Sequence, residues 1–544
     1  MRSFLHRTRR FLSGKRTAIA VLCLAIAVKF IIQISFFTID GDKSSQLLAA
    51  KNLAEGHGLT IGTVADTNLS AVQYIPMTGW PPGYSVVLAP LILLFDHDYK
   101  TAALVFDLLA VLPFFLYLWL LLNYLGLQTW LRNLFILFAG FFFYPFDPAT
   151  CTDLISLSCL LAGFYYCLLR MQEKKTAFRF LLLPVFFLFM AGFFRYQYIP
   201  VALCFPALFM IAGRFNKNKN RIRSGFAIFL PLLVLLAGLL LYQQYATGAP
   251  AFINTSETGF FPANLQRMYP IVPASFFDVE TALSAFSHYT GTDYLRNGTI
   301  LLVSGYILFI VFVFIALRRL IKKKGQLAGP ADYFLFLGTG VSLGLTALLF
   351  YLSARNSPLQ SPLYQPWTYI QEFRYFLFPV LFIQLSVFFF LFNRFEKLSR
   401  SWKRIAWVCA TLFLLQFTQK AIVVTRLLSS PEPFYRSVSY QKNVRDVMNV
   451  FDSAKKLNPG QEVVVASPDP VLCNLAGLEN SKALYFPHTL SKPLRFRSGK
   501  PVKLLLAIDK SLTGYYSKYL DYPVEHPFYS LGNLYFYLLD AEPN

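Results

Sequence analysis

Charge is scarce in this chain. Of 544 residues only 14% are Asp, Glu, Lys or Arg and 56% are hydrophobic, which leaves too little polar surface to clothe an ordinary soluble enzyme. Cysteine is sparse as well. Most of the seven lie inside apolar stretches (Cys23, Cys159, Cys167, Cys204, Cys409), and none forms a Cys-x-x-Cys or Cys/His metal spacing. That excludes a disulfide framework and a zinc site. There is no internal repeat and no low-complexity tract. A cleavable signal peptide is also missing: residues 1–16 are basic, and the apolar run 17–39 is long enough to span a membrane rather than be removed.

What is abundant is aromatic and aliphatic. Phe and Tyr number 57 and 31, a composition suited to lipid-facing helices and interfacial belts. The formal net charge of +22 sits in short Lys/Arg clusters between apolar runs, a topology signal rather than a nucleic-acid surface. Runs long enough to cross a bilayer as helices fall near 17–39, 101–125, 131–146, 152–169, 179–194, 197–213, 225–245, 299–317, 332–353, 374–393 and 405–424. Every second connection between them is basic, from Arg7, Arg9, Arg10, Lys15 and Arg16 through Arg214 to Arg223 and on to Arg394 to Arg404. The alternation predicts a mainly α, polytopic membrane protein of about eleven transmembrane helices. Its N-terminus is cytoplasmic, and loops 40–100, 246–298 and 354–373 and the C-terminal tail lie outside.

Past residue 424 the character changes to mixed polar and apolar sequence. A helical pattern over 444–457 and strand-like runs at 462–466, 502–508 and 534–539 predict a small extracytoplasmic α/β domain. The chain is thus divided into a transmembrane part, 1–424, and an outer domain, 425–544.

The first outer loop holds the densest chemistry. It opens Ile39-Asp40-Gly41-Asp42, continues as a helix-like stretch from Leu47 to Glu55, turns at Gly56-His57-Gly58, and later reads Trp80-Pro81-Pro82-Gly83-Tyr84. A carboxylate just beyond a membrane helix sits at a poorly solvated boundary, where it can act as a base. Asp40 and Asp42 are the candidates, and either could instead cap the helix that follows. His57 could touch a substrate or simply be a solvated turn residue. The two prolines fix the chain and Gly83 permits unusual backbone angles. Asp40 and Asp42 also have a spacing at which a divalent cation could bind; no other cofactor is indicated.

These residues resemble the lipid-linked-sugar glycosyltransferases of the GT-C superfamily, notably the protein O-mannosyltransferase and aminoarabinose transferase branch. The family pattern is an Asp after the first membrane helix, an Asn-Leu-x-x-Gly-x-Gly-like turn and a Pro-Pro-Gly-Tyr-like segment. Here it is similar to Asp42, Asn52-Leu53-Ala54-Glu55-Gly56-His57-Gly58 and Pro81-Pro82-Gly83-Tyr84. Thr152-Asp153, Arg195 at a helix end, and Arg374-Tyr375 with Pro379 extend the likeness over residues 17–393. One departure stands at Gln46, where many members carry Tyr.

The resemblance implies a polyprenyl-phosphate sugar as donor, a protein, glycolipid or polysaccharide acceptor, membrane lipids as surroundings, no nucleic acid, and residence in a bacterial inner membrane. It implies an inverting hexosyl- or pentosyltransferase. Asp42 would be the base, with Asp40 as the two-residue slip, Arg195 and Arg374 would bind phosphate, and Asp153 would orient base or acceptor. Tyr375, His57, Trp80 and Tyr84 would contact substrate. The rival functions are a transporter or flippase of a lipid-linked glycan, and a glycan ligase or polymerase of related architecture. Asp153 could instead cap its helix, and Arg195 and Arg374 could anchor at lipid headgroups.

Overall fold

The computed structural model describes residues 14–35, 37, 39, 41–77, 80–141, 152–172, 179–248, 260, 271–276, 291, 304–316, 318, 327, 329–355, 373–429, 436–486, 495–519 and 526–543. The membrane part begins with α1 (Lys15–Ser35). The first loop then folds as α2 (Gly41–Ala54), the hairpin β1 (Thr60–Ala65) and β2 (Asn68–Pro76), and α3 (Gly83–Leu94). There follow α4 (Tyr99–Tyr124), α5 (Thr129–Phe141), α6 (Asp153–Gln172), α7 (Arg179–Phe194), α8 (Tyr198–Phe215) and α9 (Lys219–Thr247). Beyond them come the short α10 (Ile271–Phe276), α11 (Ser304–Ala316), α12 (Pro330–Arg355), α13 (Leu377–Val387) and α14 (Arg400–Ser429).

Each of the eleven predicted apolar runs meets a helix. Eight are long and apolar enough to cross a membrane among the described residues, and the helices at Thr129–Phe141, Leu181–Phe194 and Ser304–Ala316 are shorter. The protein is therefore a polytopic, mainly helical membrane protein. Its helices pack through small residues, as bundles in lipid do. A Cβ placed on Gly140 of α5 would stand 2.9 Å from Ala25 Cα of α1, so only glycine lets those two backbones approach.

The C-terminal region is a mixed sheet with helices. It comprises α15 (Arg436–Leu457), β3 (Glu462–Ser467), α16 (Pro470–Leu478), β4 (Lys482–Tyr485), β5 (Arg497–Ser498), β6 (Val502–Asp509), β7 (Tyr529–Leu531), β8 (Leu534–Asp540) and β9 (Glu542–Pro543). Five strands order as β4-β3-β6-β8-β7, with β3 parallel to β4 and β6 and β8 antiparallel to β6 and β7. The predicted helix and three strands are all present. Successive side chains face opposite sides, and the sheet uses both. Val463, Val465, Leu505 and Ala507 pack with Val447, Val450, Phe451 and Ala454 of α15. Val464, Ala466, Leu504, Leu506 and Ile508 pack with Val64 and Leu69 from the β1–β2 hairpin. The first loop thus supplies part of the core of the sheet domain.

Candidate active site

Parity places the site. The exit of α1, the start of α6, the end of α7 and the start of α13 all fall at the membrane face opposite the basic connections after α4, α6, α8 and α13, if the helices alternate across the bilayer. Asp42, Asp153, Arg195 and Arg374 occupy those four positions. Asp42 stands in the first turn of α2 and Asp153 opens α6, where the helix dipole favours a carboxylate. Arg195 sits in the tight turn between α7 and α8, its backbone N–H donating to Ala191 O at 3.0 Å. Arg374 lies in the short 3-10 turn Phe373–Phe376 that leads into α13.

The four side chains interlock. Arg374 donates to Asp42 Oδ2 at 3.0 Å, and Arg195 forms an ion pair with Asp153. The Tyr375 ring lies 5.4 Å from the guanidinium of Arg195 and 5.2 Å from that of Arg374, within cation–π range of both. Asp42 is the most open member at 21% side-chain exposure, against 2% for Asp153 and 5% for Arg374, so the cluster is approached from the Asp42 side. Burial, the largest influence, works against the Arg195 charge and Arg374 opposes it too; Asp153, Tyr375 and Asp42 favour it, and on balance the guanidinium holds its proton more tightly than usual. Two positive groups, one open carboxylate and an aromatic ring make a site that can bind an oxyanion beside a base.

The other predicted residues are placed elsewhere. His57 stacks on Tyr74 at a ring separation of 4.1 Å, on the exposed turn that closes α2, and has no contact with the cluster. Tyr84 is buried and its hydroxyl donates to Asp107 Oδ1 at 3.4 Å. Trp80 is half-buried, and its carbonyl accepts from the hydroxyl of Tyr196, the neighbour of Arg195. Gly83 differs from expectation in its reason. It has no left-handed backbone; instead a Cβ there would lie 2.5 Å from Phe193 O, so glycine is needed for close packing of α3 on α7. Gln46 donates to Asp42 O at 3.1 Å, turned along its own helix. Asp40 lies outside the described residues. Among those described, no three His, Cys, Asp or Glu side chains gather as a metal site, and the Asp42 carboxylate is already held by a guanidinium.

Sequence reasoning missed a third ion pair, next to the one made by Asp42. Lys43, adjacent to Asp42, reaches α4 and meets Asp107 at 2.7 Å with both side chains buried. The signal was available, because Asp107 is the lone acid within the apolar run of α4 and an acid there demands a partner.

No protein-family model matches this chain, and no curated protein sequence does. Fold comparison does find similar structures. The crystal structure of ArnT from Cupriavidus metallidurans bound to undecaprenyl phosphate aligns over 96% of this chain and 98% of that one, with a TM-score of 0.51 at 11% identity. The same protein in the apo state aligns over 96% and 97% with a TM-score of 0.48 at 12% identity. The molecule is thus, by class, a many-helix membrane protein carrying a mixed-sheet domain. Its particular fold is that of the undecaprenyl-phosphate-bound ArnT structure, over nearly the full length of both chains.

Proposed function

We propose that this protein is a glycosyltransferase that moves a sugar from a polyprenyl-phosphate donor to an acceptor hydroxyl at the extracytoplasmic face of a bacterial inner membrane. The observation that carries the reading is the convergence of Asp42, Arg374, Arg195 and Asp153 from four distant segments at one end of the bundle. In the reaction, Asp42 takes the acceptor proton as the acceptor oxygen attacks the anomeric carbon. The bond from that carbon to the phosphate oxygen breaks and the configuration inverts. Arg374 and Arg195 take up the charge left on the polyprenyl phosphate, since guanidinium pairs phosphate oxygens through parallel hydrogen bonds. Asp153 holds Arg195 in place. Tyr375 keeps the two like-charged groups side by side.

The shared fold supports this, because the ArnT structure it matches is bound to undecaprenyl phosphate, the kind of lipid the donor would carry. The N-terminus is then cytoplasmic and the sheet domain extracytoplasmic, the arrangement the basic connections favour. The acceptor is a protein, glycolipid or polysaccharide hydroxyl, and the sugar a hexose or pentose.

The test is direct. Purified protein in vesicles is given a radiolabelled polyprenyl-phosphate sugar and a bacterial envelope extract as the source of acceptor hydroxyls, and glycosidic product is followed for wild type and Asp42→Asn. The expected loss in the variant is about a hundredfold or more, the scale of a general base. Wild-type transfer by the variant would reject Asp42 as the base. Movement of donor between leaflets with no glycosidic product would favour transport instead.

A further inference from the structure

Helix α2 is buried on every side: residues Lys43 to Asn52 are buried in unbroken succession. A helix with an apolar stripe is oriented by its stripe; one buried all round is not. Specific contacts must therefore set its rotation, and the rotation aims Asp42. Lys43 supplies one through Asp107 and Ser85 another at the Gln46 carbonyl; those that converge on Gly41 come from the C-terminal domain. Asn474 of α16 donates to Ser44 Oγ at 3.1 Å and to Ser45 Oγ at 2.8 Å. Each serine hydroxyl in turn donates to the carbonyl of Gly41 at 3.1 Å, the residue before Asp42. Asn474, Ser44 and Ser45 are all buried, so water does not substitute for the partners.

The seam continues along the helix with helical spacing. Gly41 faces Val471, and a Cβ on Gly477 would stand 3.0 Å from Leu48. About one turn further, Lys51 Nζ donates to Gly477 O at 2.8 Å, to Leu478 O at 3.2 Å and to Asn480 Oδ1 at 2.5 Å. Helix α16 belongs to both parts of the molecule: Leu475 and Leu478 lie in the core of the membrane bundle, Leu472, Cys473 and Ala476 in that of the sheet.

Resting on the reading of Asp42 as the base, we propose that the C-terminal domain is a working part of the site, and that Asn474 is the positioning residue that sets the direction of Asp42 through Ser44, Ser45 and the Gly41 carbonyl. Misplacing a reacting group by about 1 Å can cost about a hundredfold in rate, so a small rotation of α2 is enough to be felt.

The experiment compares Asn474→Ala, Ser44→Ala/Ser45→Ala and the triple variant by transfer kinetics, counted per folded molecule. The expected result is a fall in kcat of about tenfold to a hundredfold with KM for the lipid donor not raised, because the arginines are untouched and a displaced Asp42 competes less for Arg374. The triple variant is expected to be no worse than Asn474→Ala, since the three act as one chain. A control, Val465→Ala in the sheet core, lowers thermal stability and keeps wild-type kcat. Wild-type kcat in folded Asn474→Ala, an equal kcat loss in the control, or additive losses would each overturn the proposal. Should Asn474→Ala fail to fold, Ser45→Ala alone carries the test, with a partial kcat loss expected and an unchanged kcat fatal. Activity retained by Asp42→Asn would instead strike at the functional reading beneath.

Discussion

Asp42 and Arg374 lie 332 positions apart in the chain and meet at 3.0 Å, so the group proposed to take a proton and a group proposed to hold phosphate neutralise each other. A phosphate arriving at Arg374 must compete with the Asp42 carboxylate for the same guanidinium. Donor binding and release of the base are therefore linked events.

The linkage predicts opposite effects on binding and on transfer. Asp42→Asn removes the competitor, and the affinity for polyprenyl phosphate should rise about threefold to tenfold, the weight of one partly exposed charge contact, while transfer is lost. Arg374→Gln should weaken the same binding by about tenfold or more, since a charged hydrogen bond contributes about 1.5–3 kcal/mol. Titration of both variants with polyprenyl phosphate decides it: weaker binding in Asp42→Asn would show that the pair is not in competition with lipid.

The second pair is buried more deeply, and there the cost of breaking it should dominate. Asp153→Ala leaves Arg195 charged and unbalanced inside the bundle, a change that costs about 3–5 kcal/mol. Replacing both partners with apolar groups, as in Asp153→Leu/Arg195→Met, should recover much of that stability and none of the transfer. Thermal unfolding in detergent, read beside the activity assay, separates the two. A double variant no more stable than the single one would mean that the pair does not hold this end of the bundle.

How much of this was legible in the sequence depends on what the residues pack against. The membrane helices were in large part, because a bilayer imposes length and apolarity on each helix locally, and eight of the eleven apolar runs coincide with helices long enough to cross one among the described residues. Asp42 stood out as a carboxylate just past a span, and Asp153, Arg195 and Arg374 stood out through the family resemblance. The β1–β2 hairpin was not legible: Val72 to Ile75 are exposed, and its order comes from Val64 and Leu69 packing on a sheet that begins about four hundred residues later. Lys482 Nζ donating to Ser70 O at 2.5 Å and Thr63 donating to Ala483 O at 3.2 Å belong to the same long-range docking. Helix α3 was masked by Pro81-Pro82, which read as a turn and instead lead into its first residue. His57 and Tyr84 were expected as substrate contacts because the motif contains them; the first closes a turn and the second lies in a core.

Gly83 carries a prediction that the motif alone does not. Its neighbour in space is the Phe193 carbonyl, two residues before Arg195, and backbone cannot give way as a side chain can. Gly83→Ala should therefore push α3 off α7, with overpacking of about 1–3 kcal/mol, and lower transfer through displacement of Arg195. Gly514→Ala is the control, because a Cβ there meets open space. Equal melting temperatures for the two variants would refute the close approach as the reason for glycine.

Acid should loosen the docking of the sheet domain at Glu479. Its Oε1 accepts from the Tyr99 hydroxyl and from Lys100 Nζ, the latter at 3.1 Å, which ties the end of α16 to the start of α4. Burial favours the neutral acid; the hydrogen bonds from Tyr99 and Lys100 and the Lys100 and Lys455 charges outweigh it, and the carboxyl is held below its ordinary range. A carboxylate whose folded value is depressed stabilises the folded state fully above its unfolded value, and the contribution fades as pH falls through the folded value. The difference in melting temperature between wild type and Glu479→Gln should accordingly be present near neutrality and shrink toward zero as pH drops from about 5 to about 3. Limited proteolysis at the α16–α4 junction should follow the same course. A wild-type advantage that stays constant across that range would mean that the ionised carboxylate is not what holds the domain down, and that the amide serves as well.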